Sequence, residues 1–169
     1  HETEHHHFEL SRRWQGTLAA AGLMGIAYPA AYGGGGGAGW MTRIEREISR
    51  DYQENTGFPG ATTAMLAPAL LRHASEEQKL EYLPKLLSAE LTFCQLFSEP
   101  GSGSDLASLG TRAIRDGDEF IVTGQKVWNS AAQLCDWGFL LVRTDPDAPK
   151  HRGITFVLVD MSTSTNVMP

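Results

Sequence analysis

An apolar run from Leu91 to Phe97 drives directly into Ser98-Glu99-Pro100-Gly101-Ser102-Gly103-Ser104-Asp105, and this break constrains the fold more than any other stretch. Proline lacks an amide proton and fixes φ, so neither a helix nor a paired strand continues through Pro100. Gly101 and Gly103 remove the Cβ atoms that would bar a tight bend. A strand is therefore expected to end in a fixed turn. Glycines alternating with small hydroxyl side chains also let backbone N–H groups come close to an anion such as a pyrophosphate.

On the N-terminal side of this break the pattern is helical. Phe8, Leu10, Trp14, Leu18 and Leu23 recur about every four residues, predicting an amphipathic helix closed by Gly22 or Gly25. Pro29 and the five glycines Gly33 to Gly37 then predict a flexible loop. A second helix is expected from Trp40 to Asn55, with Ile44 and Ile48 on one face, and Gly57-Phe58-Pro59-Gly60 is expected to break it. A small, apolar third helix follows from about Ala61 to His73. Ser75-Glu76-Glu77-Gln78 is a capping box starting a fourth, which runs to about Ser88 and is kinked or split at Pro84.

After Glu90 the period changes. Strands are predicted over Leu91–Phe97, Thr111–Arg115, Phe120–Thr123, Lys126–Ser130, Phe139–Thr144 and Ile154–Val159, with hairpin turns at Asp116-Gly117-Asp118 and Gly124-Gln125. Short strands at this spacing imply an antiparallel β-barrel. The fold class is thus α+β and multi-domain: an all-α helical bundle over 1–90, then a β-barrel domain over 91–169. The barrel is incomplete at the C-terminus, because about six strands before Pro169 leave its edges unclosed. The expectation is a piece of a longer chain.

Charge and composition exclude several classes. Fourteen basic against twenty acidic side chains give −6, so there is no basic face for nucleic acid. No apolar run approaches the roughly 20 residues a membrane helix needs. Cys94 and Cys135 lie far apart in sequence with no CxxC spacing, which predicts a reduced, cytoplasmic chain with two unremarkable thiols, Cys94 packing in the core.

Several motifs compete for attention. His1-Glu2-Thr3-Glu4-His5 fits the zinc pattern H-E-x-x-H, but it sits at residue one without a third ligand, so a solvated His-rich terminus is favoured. Gly34, Gly36 and Gly39 satisfy G-x-G-x-x-G, yet no good strand enters the run and no βαβ unit follows. Ser11-Arg12-Arg13-Trp14 faintly resembles a twin-arginine signal but reads better as helix. Ser104 lacks the surround of a hydrolase nucleophile. Thr62, Thr63 and Met65 are explained equally well as pocket lining and as helix packing.

Phe97-Ser98-Glu99-Pro100-Gly101-Ser102-Gly103-Ser104-Asp105 resembles the acyl-CoA dehydrogenase signature. Arg115-Asp116-Gly117-Asp118, Gly124-Gln125-Lys126-Val127-Trp128-Asn129-Ser130, Arg143-Thr144-Asp145-Pro146 and Arg152-Gly153-Ile154 follow at family-like distances. Upstream, Gly25-Ile26-Ala27-Tyr28-Pro29 with Tyr32-Gly33-Gly34, and Glu76-Glu77-Gln78-Lys79 with Tyr82-Leu83-Pro84, are similar to the same family.

The resemblance implies FAD bound by Gln95, Leu96, Phe97, Ser98, Gly103, Ser104, Trp128, Asn129 and Ser130. Phe97 and Ser98 would face the pyrimidine end of the ring system, Gly103 and Ser104 the phosphates, Trp128 the ring face, and Ser130 the reactive nitrogen. Ser104 would also touch the acyl-CoA substrate. The implied reaction is α,β-dehydrogenation of an acyl-CoA thioester, with an electron-transfer flavoprotein as acceptor and a homo- or hetero-tetramer as the assembly. No catalytic base is assigned, since the family draws it from a C-terminal domain; this chain alone is therefore expected to be inactive. Two alternatives are a non-catalytic FAD- or CoA-binding partner subunit and a flavin oxidase or monooxygenase on the same scaffold. Glu99 is expected to fix the turn through hydrogen bonds rather than to act in catalysis.

Overall fold

The computed structural model describes residues 2–51 and 57–164. The chain forms two compact units, His1–Phe93 and Cys94–Pro169.

The first unit is helical: α1 (Glu2–Ala20), α2 (Gly39–Asp51), α3 (Gly57–His73) and α4 (Glu76–Leu87). Its core is made by Phe8 and Leu18 of α1, Leu66, Ala67 and Leu70 of α3, and Leu83, Leu86 and Leu87 of α4, all buried. Full burial of each such large apolar side chain is worth about 1.5–3 kcal/mol. Gln15 is fully buried among them, and its side-chain amide donates to Thr63 Oγ1 at 3.0 Å and the Leu86 carbonyl at 2.9 Å, tying three helices together.

Both halves of the Ser75 capping box are present. The Gln78 N–H donates to Ser75 Oγ, and the Ser75 N–H donates to Gln78 Oε1. Ser75→Ala is therefore expected to lower stability by about 1 kcal/mol, read as a shift of the urea midpoint with no change in slope.

Three helical expectations are corrected. The helix α1 begins at Glu2 rather than near Phe8, so His5, His6 and His7 lie on it, exposed. The helix α3 starts at Gly57, because Pro59 falls in its first turn, where a missing N–H leaves no bond unmade. Pro84 does not split α4, which runs on to Leu87. The end of the second helix near Asn55 lies outside the described residues.

The glycine run is packed, not a free loop. Gly35, Gly36 and Gly37 donate their N–H groups to the carbonyls of Gly25, Tyr28 and Ile26 at 3.1, 2.8 and 2.7 Å. A Cβ at Gly34 would run into the Tyr28 carbonyl oxygen. These donors are consumed internally, so they cannot cradle a phosphate.

The second unit holds a mixed sheet of β1 (Phe93–Leu96), β2 (Arg112–Asp116), β3 (Glu119–Thr123), β4 (Trp137–Arg143) and β5 (Ile154–Asp160), followed by the short α5 (Met161–Ser164). The strand β4 is central, pairing with β1, β2 and β5. It runs antiparallel to β5 from Trp137↔Asp160 to Arg143↔Ile154, while its contact with β2 is parallel, at Arg112↔Arg143. The strands β2 and β3 form the expected hairpin, with Gly117 at φ 62° in its turn. Among the described residues the sheet is not closed. An α+β chain with a helical part followed by an unclosed sheet matches expectation, whereas the strictly antiparallel pairing does not.

Lys126–Ser130 is not a strand, and Gly124-Gln125 is not a hairpin turn. Trp128 and Ala131 take φ of 61° and 57°, left-handed values that no β-ladder accommodates. The Arg143 guanidinium instead helps order the loops, donating to the carbonyls of Leu109, Ala107 and Lys150.

Candidate functional site

The predicted turn after β1 is closed by its own backbone. The Glu99 N–H donates to the Ser102 carbonyl at 2.8 Å, and the Ser102 N–H returns to the Glu99 carbonyl at 3.1 Å. Pro100 and Gly101 occupy the bend between them. Ser102 is buried, its hydroxyl donating to the Asp105 carbonyl at 2.9 Å. Gly103 and Ser104 follow on the surface, and a Cβ at Gly101 or Gly103 would meet no atom within 4 Å. The space beside this backbone is open, as close approach of a ligand requires.

Glu99 is the anchor of the turn. Its carboxylate accepts from the Gly110 N–H at 2.7 Å, the Thr111 N–H at 2.9 Å and Lys126 Nζ at 2.8 Å. The two charged side chains are only 11% and 7% exposed. Burial alone pushes the Glu99 carboxyl up. The hydrogen bonds from Lys126 and from the backbone around Gly110 and Thr111 outweigh it and hold the carboxyl at about 2. Lys126 has fewer partners: Glu99 and the Phe97 carbonyl, 3.0 Å from its Nζ. Burial therefore holds its ammonium below the usual lysine range despite the carboxylate beside it. The expectation that Glu99 serves the turn through hydrogen bonds fits this geometry, but the bonds reach to the start of β2 and to Lys126 as well. Nothing in the sequence pattern pairs Lys126 with Glu99; a carboxylate beside a buried strand end is the one signal that a cation had to be found.

Two separate predicted segments lie side by side here. The Val127 N–H donates to the Ser98 carbonyl at 2.9 Å, and Lys126 reaches Phe97 and Glu99. Trp128 follows immediately and is 89% exposed. A left-handed φ costs a bulky residue roughly 1–2 kcal/mol, so the surroundings must hold Trp128 outward at that cost. Asn129 carries a buried Oδ1 with no hydrogen-bond partner among the described residues, and Ser130 is exposed. Of the other predicted residues, Gln95, Phe97 and Ser98 are half-buried. Leu96 is buried, and its side chain lies against Gly138, which leaves its backbone as what it can offer a ligand.

A large apolar surface facing out, an orphaned amide oxygen and an open glycine turn together fit a flat ring system with an attached phosphate-bearing chain. In the helical unit, Thr62 and Thr63 are buried and donate to the Pro59 carbonyl, while Met65 is half exposed. Packing accounts for the two threonines. Among the described residues no three His, Cys, Asp or Glu side chains gather to hold a metal ion, and His1 of the H-E-x-x-H pattern lies outside them. Cys94 and Cys135 are both buried thiols outside any disulfide, and a hydrogen bond from Cys135 holds the Cys94 thiol below its ordinary range. No helix among the described residues is long and apolar enough to cross a membrane.

Residues 1–90 match the family described as acyl-CoA dehydrogenase, N-terminal domain, and residues 94–168 match acyl-CoA dehydrogenase, middle domain. Acyl-CoA dehydrogenase FadE34 of Mycobacterium tuberculosis is 46% identical over 149 residues, covering 88% of this chain and 21% of that protein. A solved steroid acyl-CoA dehydrogenase, the Tcur3481-Tcur3483 G363A variant, is 40% identical with a TM-score of 0.76, covering 88% of this chain and 39% of that one. A glutaryl-CoA dehydrogenase from Mycobacterium smegmatis in complex with FADH2 is 27% identical with a TM-score of 0.69, covering 92% and 40%. The chain thus spans less than half the length of these relatives. With both of its units matched in order, the chain belongs to the acyl-CoA dehydrogenase family.

Proposed function

We propose that this chain is the part of an FAD-dependent acyl-CoA dehydrogenase that carries the flavin-binding segments. Residues 1–90 act as its helical N-terminal domain and 91–169 as part of its middle domain. The observation that carries the reading is the Val127 N–H bond to the Ser98 carbonyl, which sets exposed Trp128 beside the turn after β1. The match to a relative solved with FADH2 supports the choice of cofactor.

In this reading Trp128 packs on the flavin ring and excludes water from one face. Backbone groups of Gln95, Leu96 and Phe97, with the Ser98 hydroxyl, bound the pyrimidine end. Donors there favour the negative charge that reduction builds on a flavin. Gly103 and Ser104 hold the phosphates, and Ser104 also reaches the acyl-CoA. The orphaned Asn129 Oδ1 takes a donor from the cofactor or its water, and Ser130 directs a hydroxyl to the reactive edge. When bound, FAD supplies the acceptor for the hydride that leaves the β carbon. The α proton needs a carboxylate base, and no Asp or Glu here takes that role.

The substrate is an acyl-CoA thioester of lipid or steroid origin, a choice supported by likeness to the steroid acyl-CoA dehydrogenase. An electron-transfer flavoprotein is the acceptor, a tetramer the assembly and the cytoplasm the compartment. The test is the visible spectrum of the full-length gene product. Flavin bands that bleach on anaerobic addition of acyl-CoA are expected; a colourless protein that takes up no FAD overturns the reading. The 169-residue chain alone is expected to show no turnover with a dye acceptor. Bleaching absent but FAD bound would favour the partner-subunit alternative, and rapid re-oxidation by oxygen the oxidase.

A further inference from the structure

We infer that Lys126 is a positioning residue: clasped between the Phe97 carbonyl and the Glu99 carboxylate, it sets where the Trp128-Asn129-Ser130 arm stands beside the turn. The inference rests on the flavin reading above.

The arm has the composition of a strand yet makes no ladder. A ladder spreads register over many backbone bonds. Here the described ties to residues 97–99 are the Val127 N–H bond at 2.9 Å and the two Nζ bonds at 3.0 and 2.8 Å. One side chain therefore does much of what a ladder would do. Just beyond it the backbone enters the left-handed region twice, at Trp128 and Ala131, with Asn129 and Ser130 between. Such conformations persist only where neighbours over-determine them.

The far end of the arm has its own constraint, a tight turn in which the Ala132 N–H donates to the Asn129 carbonyl at 3.1 Å and the Leu134 N–H to the Ala131 carbonyl at 2.9 Å. The near end has the clasp. Because Glu99 also holds the N–H groups of Gly110 and Thr111, the same carboxylate fixes the arm relative to the start of β2. Loss of the ammonium frees the near end of the arm and leaves the far turn intact. Trp128 then keeps its exposure and loses its direction.

The test is FAD titration of the full-length protein, well below the melting temperature of each variant. Lys126→Met is expected to weaken FAD binding about tenfold or more and to shift the visible flavin band. Lys126→Arg keeps the charge but puts a planar fork where an ammonium fits, so a smaller weakening is expected. Val142→Ala, buried near the C-terminal end of β4, serves as a control that lowers stability without touching the clasp. It is expected to bind FAD as the unaltered protein does. Unaltered protein that binds FAD while Lys126→Met binds equally well would overturn the positioning role and leave the flavin reading standing. Unaltered protein that binds no FAD would overturn both. If Lys126→Met does not fold, Lys126→Arg decides: affinity and spectrum identical to the unaltered protein overturn the proposal.

Discussion

Replacing Glu99 with leucine while Lys126 stays in place is expected to cost the sheet-containing unit about 3–5 kcal/mol, read as a fall in the urea midpoint at neutral pH. The leucine removes the acceptor of three donors, leaving the Gly110 and Thr111 N–H groups and a 7%-exposed ammonium without it. An isolated buried charge is far costlier than a missing pair. The double replacement Glu99→Leu with Lys126→Met removes the orphaned cation too, so it is expected to be less damaging than Glu99→Leu alone. A double variant at least as unstable as the single one would mean the ammonium was never the problem.

The same carboxylate gives the chain an acid dependence with a definite sign. Folding lowers the Glu99 carboxyl from an ordinary value of 4.5 to about 2. A group whose pKa is depressed by folding stabilises fully above its unfolded value. That stabilisation is lost as pH falls through the window down to about 2, because the unfolded chain takes up the proton first. Glu99→Leu is therefore expected to flatten the fall of stability between neutral pH and about pH 2, as measured by urea melts across that range. Parallel curves for the two proteins would show that the carboxylate is not held down by folding.

The sequence made parts of this arrangement legible and hid others for identifiable reasons. The capping box at Ser75, the Gly117 hairpin and the bend at Pro100 are local: each depends on a few adjacent side chains, and each is found where the pattern puts it. The fate of Lys126–Ser130 is not local. Lys-Val-Trp has the propensity of a strand, but a buried carboxylate 27 positions earlier claims the lysine and the chain turns left-handed directly afterwards. Tertiary context overrides propensity there. The glycine run looked free because glycine patterns carry no information about partners, and its carbonyl acceptors lie at Gly25, Ile26 and Tyr28. The parallel contact of β2 with β4 is likewise invisible to a pattern that reads alternation alone.

Phe139→Ala is the second change expected to have a large effect, lowering stability by about 3–5 kcal/mol. Phe139 is 2% exposed on β4, the strand that joins β1, β2 and β5. Its ring meets Phe97 edge-on at 5.7 Å between centroids and stacks on Phe156 at 6.0 Å. Truncation loses the burial of the ring and both aromatic contacts, each worth about 0.5–1.5 kcal/mol beyond its area. The cavity would open beside Phe97, the residue whose carbonyl takes the Lys126 ammonium and which directly precedes Ser98. Collapse of neighbours into that space would pull on the turn itself, whereas a sheet too rigid to collapse keeps the cavity and puts the loss near the upper end of the range. Phe139→Leu keeps most of the volume and is expected to cost about 1.5 kcal/mol or less. Urea melts of the two variants separate the contributions. A loss below about 1 kcal/mol for alanine would mean that β4 is held by its backbone pairing and not by this aromatic cluster.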